Sequence, residues 1–367
     1  MSRWAWAEVS TAAIEHNVRE IVNTVAPAQV WAVVKADGYG HGSIATARAA
    51  LAGGAAGLCV ALVQEGIVLR NAGIDGRILV LSEQPPVQAR SAIDARLELT
   101  VYSAEGVQAI ADAGAVNHPV HLKVDTGMRR VGAEVEGAVH LATAITASPA
   151  TSLAGVLTHL AVADEPSNEF TEQQLDRFDE VLRQMRSAGI EPPLVHAANS
   201  AGALAHPRAR YDMVRAGIAI YGISPGPGVD HLCTALRPAL SLKARVSHVK
   251  RVKAGERISY GLRHTFPRDA IVATLPLGYA DGVPRRLHNV GGTVLLGGVE
   301  RPIVGVITMD QLMVNCGDDV VRVGDEAVLL GEQAGQVITA AQWAGRLDTI
   351  AYEIVCGISA RVERRVV

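Results

Sequence analysis

The feature that most constrains the fold of this chain is a regular alternation of short apolar runs with amphipathic helical patterns over its first two thirds. Eight apolar runs have the length and composition of buried strands. They are Val30–Val34, Gly57–Val63, Arg77–Leu81, Leu97–Val101, Pro119–Val124, Leu153–Thr158, Leu194–Ala197 and Tyr211–Arg215. Continuous apolar strands between helices are typical of a parallel sheet covered on its outside, and eight strands close a barrel. The pattern predicts an α/β protein with an N-terminal TIM-like (β/α)8 barrel.

One of the intervening helices is predicted from individual residues. In the segment that begins at Phe170, Leu175, Phe178, Leu182 and Met185 form one apolar stripe. Thr171 and Gln174 have the spacing of a capping box, which predicts that Thr171 caps this helix.

The hydrophobic pattern of the sequence changes near Gly226, where "PGPGVDHLC" has the composition of a linker. Shorter alternating strands follow, separated by glycine-rich turns, together with one helix in "TAAQWAGRL". The predicted strands are Leu240–Val249, Ala270–Leu275, Gly292–Leu296 and Ala327–Leu330. We therefore predict two domains, a barrel over residues 1–230 and a mostly-β C-terminal domain over residues 231–367.

Composition restricts the class of function. The net charge of -3 comes without any block of like charges, which argues against nucleic acid or a membrane surface as partner and favours a small-molecule substrate. No signal peptide or membrane-spanning run is recognisable, so we expect a cytoplasmic protein. The four cysteines lack a CxxC spacing, and neither a disulfide framework nor a metal site is predicted.

A lysine stands at the end of the first predicted barrel strand, where barrel enzymes gather their catalytic groups. Lys35 opens "KADGYGHG", a turn that sets Tyr39 and His41 among three glycines. A lysine between a buried strand and a tight turn is partly desolvated, which favours its neutral, nucleophilic form. The alternative is a solvated lysine that merely opens a loop, and this stretch by itself does not decide between the two.

Nine motifs spread over nearly the whole chain carry a resemblance to a known family. In order they are "AVVKADGYGHG", "LKVDTGMRRVG", "THLAVAD", "HAANSAG", "RAGIAIYG", "ISYG", "LPLGYADG", "ITMDQ" and "AYEIV". The chain resembles the alanine racemases, enzymes of fold type III that depend on pyridoxal 5'-phosphate (PLP). The resemblance implies a PLP-dependent isomerase that interconverts L-alanine and D-alanine for peptidoglycan of the cell wall. It also implies that Lys35 attaches the cofactor covalently.

The resemblance assigns further cofactor contacts. The phosphate is expected at the loops after the last two barrel strands, which barrel enzymes often use for this purpose. The expected contacts are Asn199, Ser200, the backbone N–H groups of Gly217 and Ile218, and the phenols of Tyr39 and Tyr352. For Asn199 and Ser200 the alternative is an ordinary helix cap.

Arg215 resembles the family arginine that faces the pyridine nitrogen. Because an arginine does not give up its proton, that nitrogen should stay unprotonated and the ring should withdraw electrons weakly. This favours racemisation over transamination. The alternative is an ion pair that closes the barrel.

Inverting a stereocentre calls for acid/base groups on both faces of the α-carbon. Lys35 is one, and Tyr260 of "ISYG" resembles the family's second base, which acts in the site of the other subunit. A homodimer with cross-subunit active sites is therefore implied. A free tyrosine has a pKa near 10, about 4 kcal/mol too high for a base at neutral pH. The family pattern nominates His159, bridging towards Arg215, as its support, although a buried structural histidine is the alternative.

The remaining assignments concern the substrate and the entrance. Arg130 matches the family arginine that contacts the cofactor's phenolic oxygen and the substrate carboxylate, and the backbone N–H of Met309 is expected to bind that carboxylate too. Lys123 matches a lysine that family members often carbamylate to orient that arginine. Tyr279 and Asp310 resemble entrance residues, with Arg285 a candidate to tie them together. Two other activities stay open at this point, a broader racemase acting on serine or lysine and a PLP decarboxylase on a similar barrel.

Overall fold

The computed structural model describes residues 3–367 and divides into two compact units. The barrel unit contains Ala12–Gly38 and Ser43–Arg237. The C-terminal unit combines the chain up to Thr11, Tyr39–Gly42 and Pro238–Val367. None of the helices in residues 3–367 has the length and hydrophobicity needed to cross a membrane.

The strands are numbered along the chain. The first ten are β1 (Ala5–Val9), β2 (Gln29–Val33), β3 (Gly57–Val60), β4 (Ile78–Val80), β5 (Glu98–Val101), β6 (His118–Asp125), β7 (Ala133–Glu134), β8 (Thr151–Leu157), β9 (Val195–His196) and β10 (Met213–Ala216). The others are β11 (Leu240–Arg245), β12 (His248–Val252), β13 (Arg257–Ile258), β14 (His264–Thr265), β15 (Ala270–Leu275), β16 (Thr293–Leu296), β17 (Val299–Val304), β18 (Leu312–Asn315), β19 (Glu326–Gln333), β20 (Gln336–Ile338) and β21 (Glu363–Val366).

The α-helices are α1 (Thr11–Val25), α2 (Ser43–Ala52), α3 (Val63–Asn71), α4 (Ala89–Asp94), α5 (Ala104–Asp112), α6 (Ala138–Ala147), α7 (Phe170–Ser187), α8 (Ser200–Ala205), α9 (Ala340–Leu347) and α10 (Ala351–Cys356).

The barrel unit is built around a parallel sheet with the strand order β10-β2-β3-β4-β5-β6-β8-β9, and β7 is attached to β6. Two backbone hydrogen bonds join the two ends of this order, where the segments of β9 and β10 meet. The Asp212 N–H donates to the Val195 carbonyl (3.1 Å), and the Arg215 N–H donates to the Ala198 carbonyl (3.0 Å). Each of the eight predicted barrel strands coincides with one of these strands, and the predicted TIM-like fold is confirmed.

Helix α7 buries its apolar stripe as predicted, but it does not begin at the predicted residue. Leu175, Phe178 and Met185 are fully buried, as the stripe requires. The helix begins at Phe170, so Thr171 lies inside it and is not its cap. The predicted capping box is wrong, because the side chain of Gln174 reaches away from the helix start. It accepts from the Ala161 N–H (2.8 Å) and donates to the His159 carbonyl (3.0 Å).

The C-terminal unit is organised by a second sheet in which most strands pair antiparallel. Its order is β12-β15-β18-β17-β16-β19-β11-β1-β21, with β20 paired to β19. The small two-stranded sheet β13-β14 projects separately. The core contains residues from most of these strands and from helix α9, including the fully buried Trp343.

Two details of this unit differ from prediction. Strand β1 pairs antiparallel with β11 and parallel with β21, so the start of the chain belongs to the C-terminal unit and not to the barrel. Its alternation explains the placement, because Ala5 and Ala7 enter the core of this unit while Glu8 pairs with Lys243. The single strand expected over residues 240–249 is two strands, since β11 pairs with β1 and β19 whereas β12 pairs with β15.

Candidate active site

Lys35 lies directly after β2, where the backbone turns into a left-handed conformation. Ala36, Asp37 and Tyr39 have φ values of 52°, 50° and 51°. Left-handed backbone costs an L-residue with a side chain about 1–2 kcal/mol each, so such a run persists only where its surroundings hold it. The left-handed conformation is shared by the glycines of this turn and by these three residues, which the sequence pattern did not predict. The turn presents Lys35, which is half-buried, at the carboxyl end of the barrel.

Two carboxylates hold this turn within the barrel unit. Glu65, in the first turn of α3, accepts the Ala36 N–H at 2.7 Å with Oε1 and the Ala61 N–H at 2.8 Å with Oε2. Asp37 accepts the Ser43 N–H at 2.8 Å. Glu65 was missed by sequence analysis, although a carboxylate in the first turn of a helix that follows the adjacent strand is a recognisable signal.

Cationic side chains converge around the carboxyl end of the barrel. Burial, and then the charges of Arg215, Arg130 and Lys35, lowers the pKa of Lys123 to about 8. Lys123 itself is buried on β6. The exposed Arg130 follows on a loop that Asp125 braces by accepting the Gly127 N–H at 2.9 Å. The like charges that add to the effect of burial indicate a site that is completed by anionic groups.

Arg215 is the most heavily engaged of these cations. Its side chain is buried on β10 and donates to the carbonyls of Thr158 (2.8 Å) and Ala197 (3.0 Å). It also contacts Nδ1 of His196 at 2.8 Å and Nδ1 of His159 at 3.2 Å. Since a guanidinium only donates, both Nδ1 atoms accept, and both rings carry their proton on Nε2. The predicted contact between His159 and Arg215 is present.

Ser200 and Gly217 are joined at the ends of the last two barrel strands. The hydroxyl oxygen of Ser200 accepts the Gly217 N–H at 2.8 Å, which leaves its O–H as a donor. Asn199 caps helix α8 by accepting the Gly202 N–H at 2.9 Å, the structural role considered for it. Gly217 and Ile218 are buried where a short 3₁₀ helix, Ile218–Tyr221, begins.

Three predicted tyrosines lie in the C-terminal unit. The ring centroids of Tyr39 and Tyr352 are 6.1 Å apart. A side chain at Gly40 would meet the Val355 carbonyl at 2.3 Å, so glycine is required there for the close approach of the backbone to helix α10. Tyr260 follows β13 in a 3₁₀ turn, and its side chain is 73% exposed.

The predicted entrance residues also lie in the C-terminal unit. Gly278 allows its neighbours to pair with the loop that carries Met309, and Tyr279 donates its N–H to the Thr308 carbonyl at 3.0 Å. Asp310 accepts from Arg361 at 2.6 Å. Arg361, which comes close to Asp310 only through the fold, is thus the partner of this carboxylate in the structure, and the tie of Tyr279 and Asp310 through Arg285 stays a prediction.

Asp281 is a further residue of this region that sequence analysis missed. It is fully buried, accepts the Gly278 N–H at 2.9 Å and forms a two-pronged ion pair with Arg3. The signal was an aspartate within the glycine-flanked turn "GYADG".

These features define an α/β-barrel enzyme with a lysine at the mouth of its barrel and a cationic interior suited to an anionic cofactor. The alanine racemase N-terminal domain family matches residues 9–225, and the alanine racemase C-terminal domain family matches residues 239–366. The chain belongs to the alanine racemase family, whose members are PLP-dependent isomerases.

Individual relatives agree with this assignment over full length. The chain is 48% identical to the alanine racemase of Symbiobacterium thermophilum, covering 99% of this chain and 97% of that protein. Alanine racemase from Bacillus anthracis with bound L-Ala-P is 37% identical, with a TM-score of 0.95 over 100% of this chain and 96% of that one. A histidine racemase from Leuconostoc mesenteroides is 29% identical with a TM-score of 0.92, covering 100% and 98%. Alanine racemisation is the activity that these comparisons support for the chain.

Proposed function

We propose that this chain interconverts L-alanine and D-alanine with PLP attached to Lys35 and with Tyr260 of a partner subunit as the second base, and that the product supplies D-alanine for peptidoglycan. The observation that carries the proposal is the braced left-handed turn, which holds a half-buried lysine at the end of β2 beside converging cations.

The donor set of the barrel fits PLP. The cofactor is anionic at its phosphate and phenolic oxygen, and the substrate adds a carboxylate, so these groups would offset the positive charge that Lys123, Arg130 and Arg215 bring to the site. Ser200 offers an O–H, and Gly217 and Ile218 offer buried backbone, for the phosphate. In our proposal the phosphate contacts also include Asn199, Tyr39 and Tyr352. When bound, PLP supplies an electron-withdrawing ring that stabilises negative charge at the α-carbon.

Arg215 sets the strength of that withdrawal in our proposal. Its guanidinium donates a hydrogen bond without giving up a proton, because the pKa of Arg215, although burial lowers it to about 10, stays above neutral pH. A pyridine nitrogen facing it remains unprotonated. The α-carbon is therefore activated only moderately, and its proton returns to the same carbon.

Proton transfer needs groups on opposite faces of the substrate. Lys35 holds or accepts the α-proton on one face, and the phenol of Tyr260 does so on the other. Burial, and then the charges of Arg215 and Lys123, lowers the pKa of His159 well below its ordinary value, so this ring is neutral. With Nδ1 accepting from Arg215, its Nε2–H is the donor that we assign to the phenolic oxygen of the partner's Tyr260.

Arg130 and the backbone N–H of Met309 bind the substrate carboxylate in this proposal. The pKa of about 8 gives Lys123 a larger neutral fraction near neutral pH than an ordinary lysine has, and the neutral amine is the form that reacts with carbon dioxide. A carbamate there would add an anion beside Arg130 and orient it, as the family resemblance implies.

A homodimer completes the site. Tyr260, Leu262 and Met309 of the C-terminal unit are 73%, 53% and 52% exposed, and large exposed side chains of this kind support an interaction surface. An acid/base group this exposed works only when another surface covers it.

Two other activities are weaker candidates. The similarity to a histidine racemase shows that this architecture accepts another side chain, so racemisation of further amino acids is the nearest alternative. Chiral chromatography after incubation with alanine, serine, lysine and histidine separates these cases. A decarboxylase is disfavoured, because Arg215 keeps the ring a weak electron acceptor and the comparisons support racemisation.

Replacing Lys35 tests the proposal directly. Lys35→Ala should lose both racemisation and the visible absorbance of the attached cofactor. Lys253→Ala is the matched control, because Lys253 lies on the surface paired with Asp269. An unchanged visible band in Lys35→Ala would contradict the proposal.

A further inference from the structure

A continuous line of hydrogen bonds runs through the barrel unit from its surface to Arg215. The Arg77 guanidinium donates to Glu98, with Nε to Oε1 at 2.5 Å and Nη2 to Oε2 at 2.8 Å. Glu98 Oε2 lies 2.8 Å from Nε2 of His121, and His121 Nδ1 lies 2.9 Å from Nε2 of His196. His196 Nδ1 then contacts Arg215 at 2.8 Å. We call the residues Glu98, His121, His196 and Arg215 the relay.

The chemistry of its two ends fixes the direction of every hydrogen bond in the relay. Arg215 can only donate, so His196 accepts at Nδ1 and carries its proton on Nε2. His196 therefore donates to Nδ1 of His121, whose proton is on Nε2 and points at the Glu98 carboxylate. Both imidazoles are neutral and are aligned with their acceptor atoms towards the cation and their N–H groups towards the anion.

Burial strengthens the electrostatic interactions of the relay. His121 and His196 are fully buried, and Glu98 and Arg215 are 6% and 3% exposed. Burial, and then the charge of Arg215, lowers the pKa of His196 well below its ordinary value, in agreement with a neutral ring. Burial would raise the pKa of Glu98, yet hydrogen bonds from His121 and Arg77 lower it to about 2. A buried guanidinium thus faces a buried carboxylate across two oriented dipoles.

A glycine on the neighbouring strand leaves room for the hydrogen bond between His121 and His196. Gly155 on β8 lies between β6 and β9, and a Cβ atom there would come within 2.5 Å of His121 Nδ1. The pairing of β6 with β8 also shifts register between Val120 and His121. Any larger residue at this position would obstruct the hydrogen bond between the two histidines.

We propose that Glu98 is a positioning residue for the racemase: through His121 and His196 it holds the Arg215 guanidinium in place and supplies the negative end of a buried line of dipoles. The inference rests on the proposed function in one respect, the placement of Arg215 against the pyridine nitrogen. Loss of the carboxylate loosens Arg215, and a pyridine nitrogen that no longer faces the cation can take a proton from solvent. The protonated ring is a stronger electron acceptor, and transamination then gains on racemisation.

The relay itself is tested in the wild-type holoenzyme. Long-range ¹H–¹⁵N NMR of ¹⁵N-histidine-labelled protein, assigned with His121→Gln and His196→Gln, reports which ring nitrogen carries the proton. Protons on Nε2 of both His121 and His196 are expected. A proton on Nδ1 of either ring, or a doubly protonated ring, overturns the relay.

The effect on the cofactor is tested with Glu98→Gln, which keeps the size of the side chain and removes its charge. The matched control is Glu83→Gln, because Glu83 is a half-buried carboxylate of the barrel and accepts from the Tyr102 and Ser103 N–H groups outside the relay. The ¹⁵N signal of labelled PLP should move in Glu98→Gln alone. The ratio of pyruvate formation to racemisation should rise roughly tenfold in that variant, the size expected for loss of a hydrogen-bonded buried charge.

A merely structural role would depress both reactions alike and leave their ratio unchanged, so equal ratios in Glu98→Gln and Glu83→Gln overturn the positioning role. Arg215→Lys separates this failure from that of the proposed function. If the pyridine ¹⁵N signal ignores Arg215→Lys, the placement of Arg215 against the cofactor is wrong, and the effect on the cofactor falls with it. The histidine signals still decide whether the relay exists.

Discussion

Tyr260 illustrates how exposure and function are linked at the scale of single residues. Its phenol stands on a short turn in which Ser259 and Leu262 adopt φ values of 64° and 48°. Ser259 anchors this turn by donating its hydroxyl to the Val306 carbonyl at 2.7 Å. The backbone is thus held firmly while the side chain is left outside, as a group meant for a neighbouring molecule would be.

Tyr260→Phe should retain the cofactor and lose racemisation by about 10²–10⁴-fold, the usual contribution of one acid/base group. Lys35 remains, so exchange of the α-hydrogen with solvent deuterium should persist for one enantiomer of alanine and vanish for the other. Mass spectrometry of recovered L-alanine and D-alanine measures this. Equal exchange of both enantiomers would show that Tyr260 is not the second base.

Lys123 predicts a pH dependence of stability. Its pKa is lowered in the folded protein from 10.5 to about 8, so between these two values the unfolded chain binds a proton that the folded chain lacks. The free energy of unfolding from this residue should therefore rise with pH across that window. The measurement compares urea denaturation of the wild type and Lys123→Met in buffer free of carbon dioxide. A rise of the same size in both proteins would contradict the assignment.

At the scale of elements, the left-handed turn after β2 and helix α3 depend on one another. The Glu65 carboxylate accepts N–H groups from the turn and from the residues that precede its own helix, including Leu62 at 3.1 Å. One side chain thereby ties two successive loops at the carboxyl end of the barrel. Removing it leaves backbone donors without their charged acceptor.

Glu65→Ala should lower the free energy of unfolding by about 2 kcal/mol, the contribution of hydrogen bonds to a charged group. It should also weaken cofactor binding, because the turn that carries Lys35 loses its support. Glu105→Ala is the matched control, since Glu105 also lies in the first turn of a barrel helix, α5. Urea denaturation and titration with PLP followed by visible absorbance measure the two effects. Equal behaviour of both variants would show that Glu65 does not hold the turn.

The predictability of these elements follows from whether their signal is local. The eight barrel strands are buried on both faces, so their apolar runs are continuous and were found. Strand β1 reads equally well as a barrel strand, because only its pairing with β11 and β21 places it elsewhere. The start of α7 was misjudged because Gln174 bonds to Ala161 and His159, which are close only in the fold.

The residues of the candidate site divide in the same way, by whether their signal is local in the sequence. Lys35, Arg215 and Ser200 were predicted because they lie at strand ends within distinctive motifs. The residues hydrogen-bonded around them were not predicted, since Glu65, Glu98 and His121 carry no motif and make their contacts between elements that are separate in sequence. The left-handed backbone at Ala36 and Asp37 was equally hidden, because neither residue prefers it.

At the scale of the whole molecule, the decisive question is whether Lys35 and Tyr260 of one site come from different subunits. Subunit hybrids answer it. A dimer formed from one Lys35→Ala chain and one Tyr260→Phe chain has both lesions in one site and none in the other if the site is shared. Random exchange of two inactive proteins should then restore about a quarter of the wild-type activity. If both groups came from the same subunit, every site of the hybrid would keep one lesion and the mixture would stay inactive. Mixing Lys35→Ala with a second preparation of itself, carried through the same dissociation and reassembly, is the control and should regain nothing.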